Sequence, residues 1–328
     1  MRDLLYLGLF FNFLNIIILY IINFNDEILL KCFFGWGMVK KIFLVIQEKG
    51  IIGLFKAIYY RVFPKRLKYF SDFQSIFETG IGLEIGGPSS IFNNKGFIPI
   101  YPIAIKIDNC NFCHYTVWED FINEGHTFVF NKQKAPGKQY IAEASNLNLI
   151  KDSTYDFVLS SHCIEHLANP LLGLSEWIRV LKDDGLLVLV IPHKDGTFDH
   201  NRPVTSLDHL IQDFNQVMGE DDMTHLHEIL KLHDFNMDLG AGDFHFFEAR
   251  SKKNLENRCL HHHVFDTRLA IEVVNYMRLQ ILAVETTEPF HIVIIAKKET
   301  SDQNINNEKF RRKNGEQCWS NLFPSDIL

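Results

Sequence analysis

Ile81-Gly82-Leu83-Glu84-Ile85-Gly86-Gly87-Pro88-Ser89-Ser90 is an apolar run that ends in an acid and then breaks into paired glycines. Short apolar runs mark strands buried on both faces, and glycine lets the backbone turn sharply and approach a ligand that a Cβ would repel. The stretch reads as the first strand of a parallel sheet and the floor of a nucleotide-type site. A strand followed by Gly-Gly is also an ordinary tight turn, so the residues downstream decide between the two.

From residue 81 onward, short apolar strands alternate with helical segments, which predicts parallel pairing through crossover helices. Strands are expected at 82–85, 104–107, 139–142, 157–160 and 186–191. The best-marked helix follows the fourth strand, with Asn169 at the N-cap, Pro170 at the first helical position and Gly185 past its end. Near the C-terminus Asp266 caps a helix over 267–279. Two strands, 281–285 and 291–296, follow, and the gap between them is too short for a crossover helix, so they pair antiparallel. The expected fold class is α/β, a Rossmann-like doubly wound sheet, mostly parallel, whose final strand is reversed. An N-terminal helical segment precedes it, and a helical and loop insertion interrupts it.

Four regions follow from composition along the chain: a hydrophobic leader over 1–37, a helical preface over 38–77, the main domain over 78–298 with a lid-like insertion at 193–265, and a tail over 299–328. The tail is asparagine-rich and charged and reads as disordered. Residues 4–24 hold 21 residues without a charge, about enough to cross a bilayer as a helix. Asn12, Asn15 and Asn23 are costly in lipid, and Met38 opens a fresh amphipathic segment. A membrane anchor or interfacial helix and a chain start at Met38 therefore both stay open.

The formal charge of -7 across 328 residues gives no basic surface for phosphate backbones, which excludes nucleic acid as a partner. Six scattered cysteines in a chain long enough to build a core favour free thiols in a reducing compartment, the cytoplasm, with membrane association left open by the leader. Cys110-Asn111-Phe112-Cys113-His114 spells the c-type haem attachment pattern, but no export signal or haem pocket accompanies it.

In open α/β sheets ligands lie over the carboxyl ends of the strands. Those ends place Glu84 and Gly86-Gly87, Asp108, Glu143-Ala144, Ser160-Ser161-His162 and Pro192-His193 around one crevice. Asp108 falls 22 positions after Gly86, close to the spacing at which an acid accepts ribose hydroxyls.

The stretch from Tyr155 to Leu167, continued through Asn169-Pro170 and Glu176-Trp177-Ile178-Arg179-Val180-Leu181-Lys182 to Pro192, resembles the class I S-adenosylmethionine-dependent methyltransferases, with a methyltransferase type 11-like domain. The resemblance spans residues 78–192 and returns over 266–297. It implies S-adenosyl-L-methionine as cofactor, with Glu84, Ile85, Gly86 and Gly87 at its methionine end, Asp108 at the ribose, Glu143 and Ala144 at the adenine, and Ser160 and Ser161 nearby. Pro88 departs from the Gly-x-Gly that the family commonly carries, and Pro99 and Pro102 leave little room for a first crossover helix.

Transfer of a methyl group to a hydroxyl needs an oriented acceptor and a proton acceptor, and His193 and His162, after the fifth and fourth strands, are the catalytic candidates. His166 reads as structural. The insertion is rich in histidine, yet its spacing fits no metal motif, so no metal is assigned. The expected activity is methylation of an oxygen of a small molecule or glycan. Two rivals are an NAD(P)-dependent oxidoreductase of the same architecture and a catalytically silent, membrane-associated module.

Overall fold

A computed structural model describes residues 64–238, 240–301, 305–311, 319 and 322–327. The hydrophobic leader and the preface up to residue 63 lie outside the described residues. Among those that are described, no helix is long and apolar enough to cross a membrane.

An eight-stranded sheet organises Arg66–Leu328. Its strands are β1 (Ile81–Ile85), β2 (Lys106–Asn111), β3 (Gly125–Phe128), β4 (Gly137–Ile141), β5 (Tyr155–Ser161), β6 (Leu181–Pro192), β7 (Gln280–Thr287) and β8 (His291–Lys297). They lie in the order β3-β4-β2-β1-β5-β6-β8-β7. The central five, β4, β2, β1, β5 and β6, are parallel, while β8 runs antiparallel to both β6 and β7. This is the doubly wound sheet with a reversed final strand expected from the sequence. The chain runs from β1 outward to β2, β3 and β4 on one side and crosses back from β4 to β5 on the other side of β1, which opens a crevice at the carboxyl ends of these strands.

Continuous apolar runs along the inner strands give the sheet two buried faces, successive residues pointing to opposite sides. In β6, Leu187, Leu189 and Ile191 face helices α2 (Pro170–Val180) and α7 (Thr267–Tyr276), while Leu186, Val188 and Val190 face helix α1 (Phe70–Thr79) and the 90–104 segment. No α-helix forms in that first crossover, only a 3-10 turn over Ser90–Phe92, in keeping with Pro99 and Pro102. Phe92, Ile98 and Ile100 cover the sheet instead, all fully buried.

Both predicted caps are present. Asn169 Oδ1 accepts from Leu172 N at 3.0 Å, with Pro170 opening α2, and Asp266 Oδ1 accepts from Leu269 N at 2.7 Å. Each cap contributes about 1 kcal/mol by satisfying an otherwise orphaned helix amide.

Two expectations differ from the structure. Strand β2 ends four residues later than the predicted 104–107, because its pairing with β1 runs on to Ile85↔Cys110. The polar run Asp108-Asn109-Cys110-Asn111 looks like a loop, but each polar group finds a partner inside the sheet. The described part of the tail is packed rather than disordered: Phe310, Trp319 and Phe323 are buried, and Asp326 Oδ2 accepts from Thr267 Oγ1 at 2.7 Å. Those aromatic residues anchor an otherwise polar segment.

The 193–265 insertion folds as helices α3 (Leu207–Asn215), α4 (Leu226–Leu232), α5 (Phe244–Ser251) and α6 (Asn254–Asn257). Ile229, Ala241, Phe247 and Leu260 form its own small apolar cluster.

Candidate active site

A cavity of about 570 Å³ opens over the carboxyl ends of β1, β2, β4 and β5, and the insertion supplies its opposite wall. Of the residues singled out from the sequence, Ile85, Gly86, Glu143, Ala144, Ser161 and His162 line it.

The turn after β1 is held from beneath. Gly86 adopts φ +79°, a conformation that favours glycine, and an added Cβ would meet only Cys163, at 3.7 Å. Its bare backbone therefore faces the cavity. Asn109 clamps the next residue from both sides: its Oδ1 accepts from Gly87 N at 3.0 Å and its Nδ2 donates to Gly87 O at 3.1 Å. Glu84 lies under the loop, fully buried, where its carboxylate accepts from Ser89 N at 3.0 Å and Tyr101 Oη at 2.7 Å. Burial pushes this carboxyl up to about 7, although both hydrogen bonds pull it down. Glu84 thus shapes the turn rather than lining the cavity, and Gly87 packs its α-carbon against that carboxylate.

Asp108 does not reach the cavity. It lies mid-strand, where its Oδ1 accepts from Lys138 N at 2.7 Å and its Oδ2 from Tyr155 Oη at 2.9 Å. Three residues further on, at the true end of β2, Asn111 lines the cavity in its stead. Asn111 Oδ1 accepts from Asn109 Nδ2 and from Gln139 Nε2 at 3.3 Å, which orients its own amide. A carboxamide network thus stands where an acid was expected.

After β4, Trp177 Nε1 donates to Ala144 O at 2.9 Å, fixing the loop that carries Glu143 and Ala144. Arg258 from the insertion reaches across to Glu143 at 2.5 Å and to Glu220 at 3.0 Å. Ser160 is fully buried, its hydroxyl without a hydrogen-bond partner among the described residues, and it directly precedes Ser161.

The two catalytic candidates part company. His193 is fully buried away from the cavity, stacked on Phe323 at 4.0 Å between centroids, with Nε2 3.2 Å from Asp326 and Nδ1 accepting from Asp195 N. The tail that covers it was read as disordered, so this engagement was invisible in the sequence. His162 does line the cavity, at φ +52°, with Nε2 2.8 Å from His291 Nδ1. Burial, reinforced by His291 and His261, lowers it to about 3, so the ring is neutral.

Sequence reasoning missed Asn111, Glu165, His261 and Arg258. Glu165 and His166 stood within the quoted Tyr155–Leu167 stretch, while His261 lies in the His261-His262-His263 run. Glu165 is 1% exposed, and burial pushes its carboxyl up to about 7. Trp118, 57% exposed, sits at the cavity rim against His166, at 5.3 Å between centroids.

The cavity walls suit a cationic ligand, since Glu119, Glu143, Glu165, Asp199, Glu220 and Asp238 outnumber Arg250 and Arg258 among the carboxylates and guanidinium groups that line it. Cys110 and Cys113 are free thiols, the first buried and pushed up to about 12 by that burial.

Residues 111–189 match a family model described as "Methyltransferase domain". No curated protein matches the chain. Solved structures with similar folds include a SAM-dependent methyltransferase from Aquifex aeolicus, at 12% identity over 70% of this chain and 89% of that one, with a TM-score of 0.38. A Methanosarcina mazei SAM-dependent methyltransferase shares 17% identity over 68% and 94%, with a TM-score of 0.37. Burkholderia thailandensis 1,6-didemethyltoxoflavin-N1-methyltransferase shares 10% over 70% and 78%, with a TM-score of 0.38. Superpositions this loose do not themselves establish a relationship. The strand order, the cavity at the sheet's switch point and the family match over its centre agree: residues 111–189 carry a methyltransferase domain, set in a Rossmann-like sheet of the methyltransferase kind.

Proposed function

We propose that this protein transfers a methyl group from S-adenosylmethionine to an oxygen of a small hydroxylated molecule. The observation that carries the reading is the convergence of Gly86, Asn111, Glu143-Ala144 and Ser161-His162 on one cavity from four successive strand ends. S-adenosylmethionine, when bound, supplies an electrophilic methyl group on a sulfonium. The bare Gly86 turn would hold its methionine end, the Asn111 amide its ribose and the Glu143-Ala144 loop its adenine. Acidic walls favour its positive charge over the neutral product left after transfer.

The acceptor enters from the insertion side, where Arg258, His261 and Phe247 face the same space. Its oxygen bonds to the methyl carbon as the carbon–sulfur bond breaks, the electron pair stays on sulfur, and the acceptor proton must leave. His162, neutral and in the cavity, is our candidate to orient the acceptor hydroxyl; burial leaves its ring a weak base, so the proton passes on to water. His193 has no such access. A hydride-transfer reading lacks support, since the turn after β1 is built as Gly86-Gly87-Pro88 without a third glycine.

Calorimetric titration with S-adenosylhomocysteine tests the cofactor half: a folded preparation that binds none would overturn the reading. A panel of phenols, sugars and amines with radiolabelled methyl donor tests the acceptor half, and label appearing only on nitrogen would overturn the oxygen assignment.

A further inference from the structure

Three side chains in the cavity wall bring potential ligand atoms together with no hydrogen bond among them. His166 Nδ1 lies 3.0 Å from the carbonyl of Leu260, which can only accept, so the hydrogen sits on Nδ1 and the lone pair is left on Nε2. His261 Nδ1 is engaged in the same way by Asp199 Oδ2, and Asp199 is fixed in turn by Arg202 Nη1 at 2.9 Å. Glu165 completes the group. It is 1% exposed, and among the described residues neither of its oxygens has a hydrogen-bond partner. One donor atom from each of Glu165, His166 and His261 lies within 4.8 Å of the other two, and His166 Nε2 is 3.8 Å from Glu165 Oε1.

A buried carboxylate that lacks hydrogen-bond partners is costly, and two histidine nitrogens within reach of it complete a set of donor atoms for a cation. We propose that Glu165, His166 and His261 hold a divalent transition-metal ion, zinc being the best match, with a coordination position open to the cavity for an acceptor oxygen. Two imidazole nitrogens and one carboxylate are a borderline ligand set suited to such ions, and three protein ligands with a fourth position free is the arrangement of reactive rather than closed sites. The Leu260 carbonyl and the Asp199 carboxylate supply the outer hydrogen bonds that fix the orientation of metal-binding histidines. His162 Nδ1, 3.7 Å from Glu165 Oε1, stands beside the ion.

Glu165 and His166 come from the turn after β5, whereas His261 comes from the insertion. The ion therefore joins the two walls of the cavity and deepens the methyl-transfer reading, on which its role toward the acceptor rests: a hydroxyl bound to it is oriented and its proton made easier to remove.

The test is metal binding by the full chain, stripped with chelator and titrated with Zn(II), beside E165Q and H261N. His209, His225 and His263 form another group of potential ligands, so the comparison is by difference. Each variant should retain one equivalent less than the wild type, and Zn(II) should raise the wild-type Tm more than theirs. Co(II) should give a visible absorption band that weakens in both variants. Circular dichroism checks that E165Q, which keeps the shape of the side chain, is folded. Equal metal content and equal Co(II) spectra in wild type and variants overturn the proposal, as does a wild type that binds no metal at micromolar concentration. Binding of S-adenosylhomocysteine, measured in parallel on the stripped protein, reports on the methyl-transfer reading separately.

Discussion

Asn111 is the residue on which the ribose assignment turns. Its amide is held by Asn109 and Gln139, so Asn111→Ala removes one oriented group from the cavity and leaves the fold's main contacts in place. One such hydrogen bond is worth about 1 kcal/mol, so the Kd for S-adenosylhomocysteine should rise roughly fivefold, measured calorimetrically. Asp108→Asn, by contrast, should act through stability, because Asp108 is spent inside the sheet. Glu84 gives a pH test. Its folded-state pKa of about 7 lies above the ordinary carboxylate range because the group is buried. At low pH both folded and unfolded chains carry the proton. As pH rises through the ordinary range toward 7, the unfolded chain releases it first, so folding becomes progressively less favourable, and the loss levels off above 7. Relative to Glu84→Gln, the wild type should therefore lose Tm between pH 5 and 7.5. A gap that stays constant across that range contradicts this account of Glu84.

At the scale of elements, helix α2 does two jobs: it fills one face of the sheet with Trp177 and pins the Ala144 carbonyl with the same indole. Trp177→Phe should cost about 1–3 kcal/mol by leaving a buried carbonyl unpaired, read as a fall in Tm, and should weaken cofactor binding through the loop it releases. The tail is the second such element. Asp326→Ala leaves His193 and Thr267 without their buried partner and should lower Tm by roughly 5 °C. Protease susceptibility of the tail should rise with it.

These elements also show how far the sequence can be read. The parallel strands, the Asn169 and Asp266 caps and the reversed final strand were legible because short apolar runs and capping chemistry are local. The end of β2 was not, since Asp108, Asn109 and Asn111 look like a loop until the partners that satisfy them, Tyr155, Gly87 and Gln139, are brought in from distant segments. That boundary moved the expected ribose contact by three residues. His193 was misread for the same reason: its partners Phe323 and Asp326 lie 130 or more residues away. Hairpin strand β3, short and half exposed, carried no apolar period to find.

For the molecule as a whole, the account is that one sheet gathers four strand ends into a cavity that an inserted helical segment closes from the other side. The insertion reaches the sheet through Arg258, paired with Glu143, and through His261, beside Glu165 and His166. Arg258→Ala should therefore loosen both walls and raise the Kd for S-adenosylhomocysteine by about tenfold, since it leaves two carboxylates without their shared cation. The most direct measurement is isothermal titration of the full chain with S-adenosylhomocysteine, wild type beside Asn111→Ala. The account predicts saturable binding at one site per chain, weakened in the variant. A folded wild type that takes up no ligand, or a variant that binds as tightly as the wild type, contradicts it.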